Sequence, residues 1–245
     1  MRYYIVDAFT DRVFTGNPAA VLVLDEPLPE ALIQSVAVEN NLSETAFVLR
    51  ESDAWRLRWF TPGGEIDLCG HATLASAFVL LTMIVPDRQR VEFGTVSGTL
   101  AVQRRGDLYE MDFPSFPLQT VPVTDEMEAA FGIRPAEAWL GRDLVCVFDG
   151  PEMVEQTRVS EKELLKLPGL LAHITAAGTG AYDCVSRSFG PKLSVSEDPV
   201  CGSGHCHIAP FWAERLGRQE IVARQASARG GTLYCRVHGD RTCLA

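Results

Sequence analysis

The sequence lacks the features that would place this protein in a membrane or on a nucleic acid. Its longest apolar stretch, residues 74–85, is interrupted by Ser76 and Thr82 and falls short of the roughly 18 residues that a membrane-spanning helix needs. The formal charge is −10, from 32 acidic and 22 basic residues, and no local basic patch offsets it. We therefore expect no membrane partner and no nucleic-acid partner.

A secretory signal and a disulfide framework are also missing. Residues 1–7 (MRYYIVD) contain no basic segment followed by an apolar one. The seven cysteines are odd in number and have no short regular spacing, which is typical of reduced thiols. Together these absences predict a cytoplasmic protein.

The composition is that of a folded globular protein. Hydrophobic residues make up 47% and charged residues 22% of the 245 positions, which excludes intrinsic disorder and fibrous repeats. This length is enough for one large domain or two small ones, each with its own core.

An internal duplication divides the sequence into two halves. The pattern R-x-F-x-P at residues 58–62 returns at 187–191, 129 positions later (187 − 58). Cys69-Gly70 returns as Cys201-Gly202 after 132 positions (201 − 69), and the triplet GTL at residue 98 returns at residue 231 after 133 (231 − 98). Three matches in the same order at nearly one offset indicate two homologous halves.

Local patterns predict strands and one enclosed helix in each half. Residues 74–81 are apolar on all sides, which is typical of a helix surrounded by protein. In the second half we predict a short acidic helix over residues 161–167 and a longer helix from Cys201 to Leu216, ended by Gly217.

These elements predict an α+β fold. We expect two pseudo-symmetric halves, residues 1–118 and 119–245, each a curved, mainly antiparallel sheet around a central helix, with the C-terminal residues able to return to the first half.

Both Cys-Gly pairs lie where a loop enters a predicted helix. Helix N-termini favour anions through unpaired N–H groups and the helix dipole, and the same field is expected to lower the pKa of Cys69 and Cys201 toward thiolate. If the halves pack symmetrically, both helix starts face one cleft. A small carboxylate held there, beside proton-transferring groups, could exchange a proton at carbon without metal or organic cofactor.

Five ordered blocks of the sequence resemble the phenazine-biosynthesis isomerase-like (PhzF) family, within the diaminopimelate epimerase-like superfamily. The blocks are residues 16–19 (GNPA), 43–47 (SETAF), 58–73 (RWFTP through LCGHAT), 186–189 (SRSF) and 197–203 (EDPVCGS). The resemblance implies two barrel-like halves around central helices, a cofactor-independent active site, a small carboxylate-bearing substrate and frequent homodimers.

The resemblance also implies roles for individual residues. Glu44 resembles the general acid/base of the family, although taken alone an acid at a strand start is typical of a protein surface. His71, Asp198 and Ser203 resemble residues that hold the substrate or relay its proton. Substrate binding is further expected at Gly70, Gly202, Cys69 and Cys201, the backbone and thiol positions of the two helix starts.

Two other functions remain open at the level of sequence. Paired Cys69 and Cys201 resemble the thiols of the epimerase and proline-racemase branches, which favours a two-thiol epimerase or racemase. The end of the chain at Ala245, earlier than the family usually ends, favours a non-catalytic small-molecule binding protein, or a barrel completed by exchange or by a partner. Gly204 stands where the family commonly has alanine, which we interpret as a mild change.

Three further segments partly match motifs of other functions, but none of them matches well. Ser203 lacks the flanking glycines of a nucleophile elbow and is better interpreted as a helix N-cap. The residues from His205 to His207 do not have a usual zinc spacing, so no metal is expected. The segment at residues 178–180 lacks the third glycine of a dinucleotide loop.

Overall fold

A computed structural model describes residues 1–51 and 54–245 of the chain. Contacts divide it into two compact units, Met1–Asp112 together with Ala245, and Phe113–Leu244. Each unit is a mixed sheet with helices, in agreement with the predicted α+β class.

The first part of the chain, over its described residues 1–51 and 54–114, contains eight strands and two α-helices. Their bounds are β1 Arg2–Ala8, β2 Asn17–Leu24, α1 Glu30–Asn40, β3 Glu44–Glu51, β4 Ala54–Thr61, β5 Gly64–Ile66, α2 Gly70–Val79, β6 Arg90–Thr95, β7 Gly98–Arg105 and β8 Leu108–Pro114. A π-helical turn over Leu80–Ile84 extends α2.

The rest of the chain contains nine strands and four α-helices. Their bounds are β9 Gln119–Val121, α3 Asp125–Phe131, β10 Glu137–Leu140, β11 Leu144–Val147, α4 Pro151–Gln156, α5 Glu161–Leu164, β12 Ala172–Ala177, β13 Cys184–Gly190, β14 Val195–Asp198, α6 Gly202–Leu216, β15 Glu220–Gln225, β16 Gly231–His238 and β17 Arg241–Leu244. The acidic helix α5 is shorter than predicted, because the chain continues after Leu164 in tighter turns, in which the N–H groups of Lys166 and Leu167 donate to carbonyls three residues earlier.

The two units repeat one strand topology. In the first, β2 runs parallel to β3, β4 is antiparallel to both β3 and β5 and parallel to β6, and β6 is antiparallel to β7. In the second, β11 to β16 repeat these relationships in the same order. The duplication in the sequence is therefore also a duplication of topology.

The R-x-F motif has a structural explanation. The guanidinium of Arg58 lies 4.8 Å from the centre of the Phe60 ring, and its Nε donates to Oε1 of Glu65 at 2.6 Å, on the neighbouring strand. This joins β4 to β5 by a charged pair and a cation–π contact. The second unit has the same arrangement, with distances of 5.1 and 2.7 Å, in Arg187, Phe189 and Glu197.

The central helix of each unit packs against its sheet. Helix α2 packs on β1, β2 and β3, and helix α6 on β15, β16 and β17. Small side chains such as Ala72 and Ala77, both fully buried, allow the close approach of α2 to the strands. The prediction that residues 74–81 are enclosed on all sides is wrong at Phe78, which is exposed.

Helix α6 tolerates an interior proline. Pro210 has no N–H to donate to the carbonyl of Cys206, four residues earlier. The N–H of Phe116 donates to that carbonyl instead, at 2.9 Å, so the backbone oxygen stays paired. The helix ends at Gly217 in a left-handed conformation (φ 65°), as predicted.

Across residues 1–51 and 54–245, no helix has both the length and the apolar character required to cross a bilayer.

Candidate active site

The start of helix α2 places Cys69 and His71 beside each other. Cys69 is the N-cap, with extended backbone (φ −144°, ψ 114°), and its carbonyl accepts a hydrogen bond from the hydroxyl of Thr73 at 2.6 Å. Gly70 is the first helical residue. Both Cys69 and His71 are buried, and Sγ of Cys69 lies 3.5 Å from Nδ1 of His71.

Glu44 completes this group from the start of strand β3. Its backbone is in register with Ala19 of β2, and the following Thr45 is fully buried, so the strand fixes the direction of the Glu44 side chain. Oε2 of Glu44 lies 3.1 Å from Nε2 of His71, and their side chains are 17% and 9% exposed. The imidazole therefore lies between a thiol and a carboxylate.

The contact of Glu44 with His71 is close but is not an aligned hydrogen bond. Within the described part of the chain, Oε2 of Glu44 and Nε2 of His71 have no partner of good hydrogen-bond geometry. Buried polar atoms in this state are uncommon and mark a position where a further group can bind.

The charges of this group are set by burial and by its own members. Burial opposes charge on the imidazole, but the negative partners Cys69 and Glu44 outweigh it and raise the pKa of His71 well above its ordinary value. Burial raises the pKa of the Cys69 thiol, against the opposing effect of His71. The two pKa shifts are therefore linked, because the imidazole has the thiol on one side and the carboxylate on the other.

The expectation that the helix dipole lowers the pKa of both thiols is wrong. Burial is the largest effect on Cys69 and on Cys201, and the Asp198 carboxylate raises the pKa of Cys201 further, to well above its ordinary value. Complete removal from water outweighs the field of a helix end, which is a comparatively small effect.

The start of helix α6 has the same layout with different chemistry. Cys201 is the N-cap and its Sγ accepts the N–H of Gly204 at 3.4 Å, so the interpretation of Ser203 as the N-cap is wrong. The Ser203 hydroxyl lies 3.5 Å from the Cys201 thiol, and Gly202 is the first helical residue. Ser203 thus stands at the position that His71 has in the first unit.

A buried amide that sequence reasoning missed fixes the loop before α6. Gln225, fully buried at the end of β15, accepts the N–H of Cys201 at 2.8 Å and donates to the carbonyl of Asp198 at 2.6 Å. The Asp198 carboxylate accepts the N–H of Val200 at 3.1 Å and so also forms a turn. The sequence signal for this role is that Gln225 is polar at a position of β15 where alternation predicts a buried hydrophobic residue.

A second set of buried polar side chains lies beneath the start of α6. Oδ2 of Asp143 lies 3.3 Å from Nε2 of His173 and 3.4 Å from Nε2 of His207, and Nδ1 of His173 pairs with the hydroxyl of Ser188 at 2.9 Å. All four side chains are fully buried. A Ser-His-Asp order without access to solvent is a structural network. No local motif predicts it, because Asp143 lies in the loop before β11 and the other members lie on β12, β13 and α6.

The two units differ at the position of the Glu44 carboxylate. Thr45 is opposite Phe60, and in the second unit Ala172 is opposite Phe189. By this register the position of Glu44 corresponds to Leu171, a buried hydrophobic residue. The first unit therefore carries an acid where the second has none.

Among the residues that the structure describes, one group of three side chains has its metal-ligating atoms close together. Sγ of Cys69, an imidazole nitrogen of His71 and a carboxylate oxygen of Glu44 all lie within 4.8 Å of one another. All seven cysteines carry free thiols.

Comparison with known structures first defines the class of fold. A crystal structure of a hydroxyproline epimerase from Agrobacterium vitis, 12% identical, superposes with a TM-score of 0.56 and covers all of this chain and 89% of its own. A crystal structure of a phenazine biosynthesis protein of the PhzF family from Enterococcus faecalis is 48% identical, with a TM-score of 0.96, covering 99% of this chain and 93% of its own. The fold is that of the epimerase-like proteins.

The family follows from the sequence match. The model of the family PhzC-PhzF, described as phenazine biosynthesis-like protein, matches residues 6–243, and the chain belongs to this family. An uncharacterized isomerase of Pseudomonas aeruginosa is 45% identical over 246 residues, covering all of this chain and 94% of its own length. The chain is thus a member of a PhzF-like isomerase family.

Proposed function

We propose that the protein is a cofactor-independent isomerase that moves a proton on a small carboxylate-bearing substrate, with Glu44 as the acid/base. The observation that carries the proposal is the 3.1 Å approach of Glu44 to a buried His71 at the start of helix α2. A carboxylate with one oxygen free of aligned hydrogen bonds, beside an imidazole, is a suitable pair for proton transfer.

The proposed reaction uses each member of this group in a defined way. Glu44 removes a proton from a carbon of the substrate and returns it to another carbon, so the electron pair left behind shifts along the substrate and no oxidant is needed. The imidazolium of His71 stabilises the negative charge that develops. The free N–H groups at the first turn of α2, from Gly70 onward, bind the substrate carboxylate.

We further propose that residues of the second helix start take part in substrate binding or proton relay. Asp198 would orient the substrate or relay its proton, while Gly202 and Ser203 bind it. Support comes from the matched positions of Cys69 and Cys201 as N-caps, and of His71 and Ser203 two residues later.

A two-thiol epimerase is the second candidate, supported by the same matched cysteines. That reaction needs one thiol as a thiolate base. Burial raises the pKa of both Cys69 and Cys201, so neither is expected to be ionised in the resting protein. A reaction that uses Glu44 does not depend on ionising a buried thiol, which favours the isomerase.

Deuterium exchange tests the proposal. The protein is incubated in deuterium oxide with a panel of small carboxylates, and incorporation at carbon is followed by mass spectrometry and NMR. We expect enzyme-dependent incorporation that Glu44→Gln abolishes and that Glu39→Gln, a change at an exposed acid of α1, leaves intact. Ligands that bind but return without deuterium would identify a binding protein instead and would overturn the proposal.

A further inference from the structure

We propose that Cys69, His71 and Glu44 form a binding site for a thiolate-preferring divalent cation, of which Zn²⁺ is the representative. The three side chains supply one sulfur, one nitrogen and one oxygen donor, all within 4.8 Å of one another. This donor set, with a fourth position left for water or substrate, is the kind that zinc accepts in open sites.

The donors are close to the spacing of a tetrahedral ion but do not yet have it. With ordinary zinc–ligand bonds, neighbouring ligand atoms are about 3.3–3.6 Å apart. Sγ of Cys69 lies 3.5 Å from Nδ1 of His71, and Oε2 of Glu44 lies 3.1 Å from Nε2. One ion uses a single imidazole nitrogen, so binding requires either the thiol or the carboxylate to rotate toward the chosen nitrogen.

The unpartnered atoms of the site are the second observation that points to a ligand. Nε2 of His71 is on a side chain more than nine-tenths buried, and it faces Oε2 of Glu44. Neither atom has an aligned hydrogen bond within the part of the chain that the structure describes. A cation at this position would give both groups a bond that the protein does not supply.

The charges and the softness of the donors define which ions bind. A thiolate and a carboxylate together carry two negative charges, which a divalent cation neutralises. On binding, the Cys69 thiol and the His71 imidazolium each release one proton to the solvent, as the sulfur–metal and nitrogen–metal bonds form. A thiolate ligand selects Zn²⁺, Cd²⁺ or Co²⁺ over Mg²⁺ and Ca²⁺, which prefer oxygen.

Binding would also block the acid/base group. Glu44 and His71 cannot hold an ion and transfer a proton at the same time, so we expect Zn²⁺ to inhibit the isomerase. This consequence rests on the proposed function, whereas the binding site itself does not.

Cobalt spectroscopy tests the site without a substrate. The full-length protein, freed of metal with a chelator, is titrated with Co²⁺ in a buffer that does not bind metal. We expect a thiolate-to-cobalt charge-transfer band that saturates at one ion per chain and is removed by added Zn²⁺. Absence of this band in the unsubstituted protein would overturn the proposal.

Variants assign the band to its ligands. We expect Cys69→Ser to lose the charge-transfer band, and His71→Gln and Glu44→Gln each to weaken Co²⁺ binding about tenfold or more. Cys201→Ser, at the other helix start, and Cys243→Ser, at a partly exposed thiol, should keep the band. A band that survives in folded Cys69→Ser protein, or disappears in either control, would place the ion elsewhere and overturn the proposal.

Two measurements keep the test valid if a variant is unstable. Circular dichroism establishes that each variant is folded before titration. If Cys69→Ser does not fold, unweakened binding in both His71→Gln and Glu44→Gln is sufficient to overturn the site, because the sulfur alone cannot hold the ion. Deuterium exchange measured without metal tests the isomerase separately.

Discussion

The imidazole of His173 fills the space into which a side chain on Gly204 would extend. A Cβ at Gly204 would lie 2.6 Å from Cε1 and 2.9 Å from Nδ1 of the ring. His173 cannot move aside, because it is fully buried and paired with Asp143 and Ser188. The glycine is therefore a requirement of packing at the start of α6, and its interpretation as a mild change is wrong.

Replacing Gly204 by alanine is expected to destabilise the protein despite the better helix propensity of alanine. Overpacking costs about 1–3 kcal/mol, against a propensity gain of about 1 kcal/mol in favour of alanine. Urea unfolding measures the net effect, and Glu214→Ala, at an exposed position of the same helix, should not lower stability. If the Gly204→Ala protein is as stable as the parent, the His173 ring is able to move aside, which would contradict this prediction.

Loss of the Asp143 charge is expected to destabilise the protein by about 3–5 kcal/mol, as for other broken buried pairs. Burial opposes ionisation of Asp143, but His173 and His207 outweigh it and hold its pKa well below the ordinary range. Asp143→Asn removes the charge that they pair with. Its control is Asp125→Asn, an acid 94% exposed beside Arg134, which should change the unfolding free energy by less than about 1 kcal/mol. Equal effects would contradict this account.

Stability is expected to fall in mild acid because His205 is buried in its neutral form. Its Nδ1 donates to the carbonyl of Cys201 at 2.7 Å, and burial, with His173 nearby, lowers the pKa of His205 to about 4. The unfolded chain has a histidine pKa of about 6.5, so unfolding takes up a proton between these values. Stability that is complete above about pH 6.5 is lost as the pH falls toward 4, by up to about 3 kcal/mol.

The variant His205→Asn should remove this part of the pH dependence. Asparagine retains a donor close to the position of Nδ1 but does not titrate. His238→Asn, at an exposed histidine on β16, should leave the pH profile unchanged. Chemical unfolding at several pH values compares the three proteins, and a steep profile persisting in His205→Asn would exclude His205 as its origin.

The two thiols are expected to be dispensable for proton exchange. Cys69→Ala and Cys201→Ala should each keep the exchange rate within about tenfold of the parent, whereas Glu44→Gln should reduce it by about 100-fold or more. Rates of deuterium incorporation, measured at saturating substrate, decide the point. Loss of exchange in both cysteine variants, with exchange preserved in Glu44→Gln, would favour the two-thiol epimerase.

Gln225 is expected to hold the loop before α6 through both atoms of its amide. The ionised side chain of Gln225→Glu keeps an acceptor for the N–H of Cys201 but has no donor for the carbonyl of Asp198, and the unpaired carbonyl should cost about 1–3 kcal/mol. Gln219→Glu, at an exposed position, is the matched control. Urea midpoints report the difference, and equal midpoints would contradict the role of Gln225.

Much of the fold was predictable because it depends on local patterns and on repetition. The largely buried helix α2, the end of α6 at Gly217 and the duplicated R-x-F motif follow from apolar composition, a left-handed helix end and an offset between similar segments. The grouping of Glu44 with His71 was expected only from the resemblance to a family, since 27 residues (71 − 44) separate them.

The sequence by itself determined the elements, their repetition in two halves and the family. Tertiary structure alone decided the state of the thiols, the need for glycine at position 204 and the roles of Gln225, Asp143 and His173. The physical reason is burial. Burial affects the pKa of the thiols more than the helix dipole does, and close packing against the His173 ring affects position 204 more than helix propensity does. Burial and packing both depend on residues that are distant along the chain.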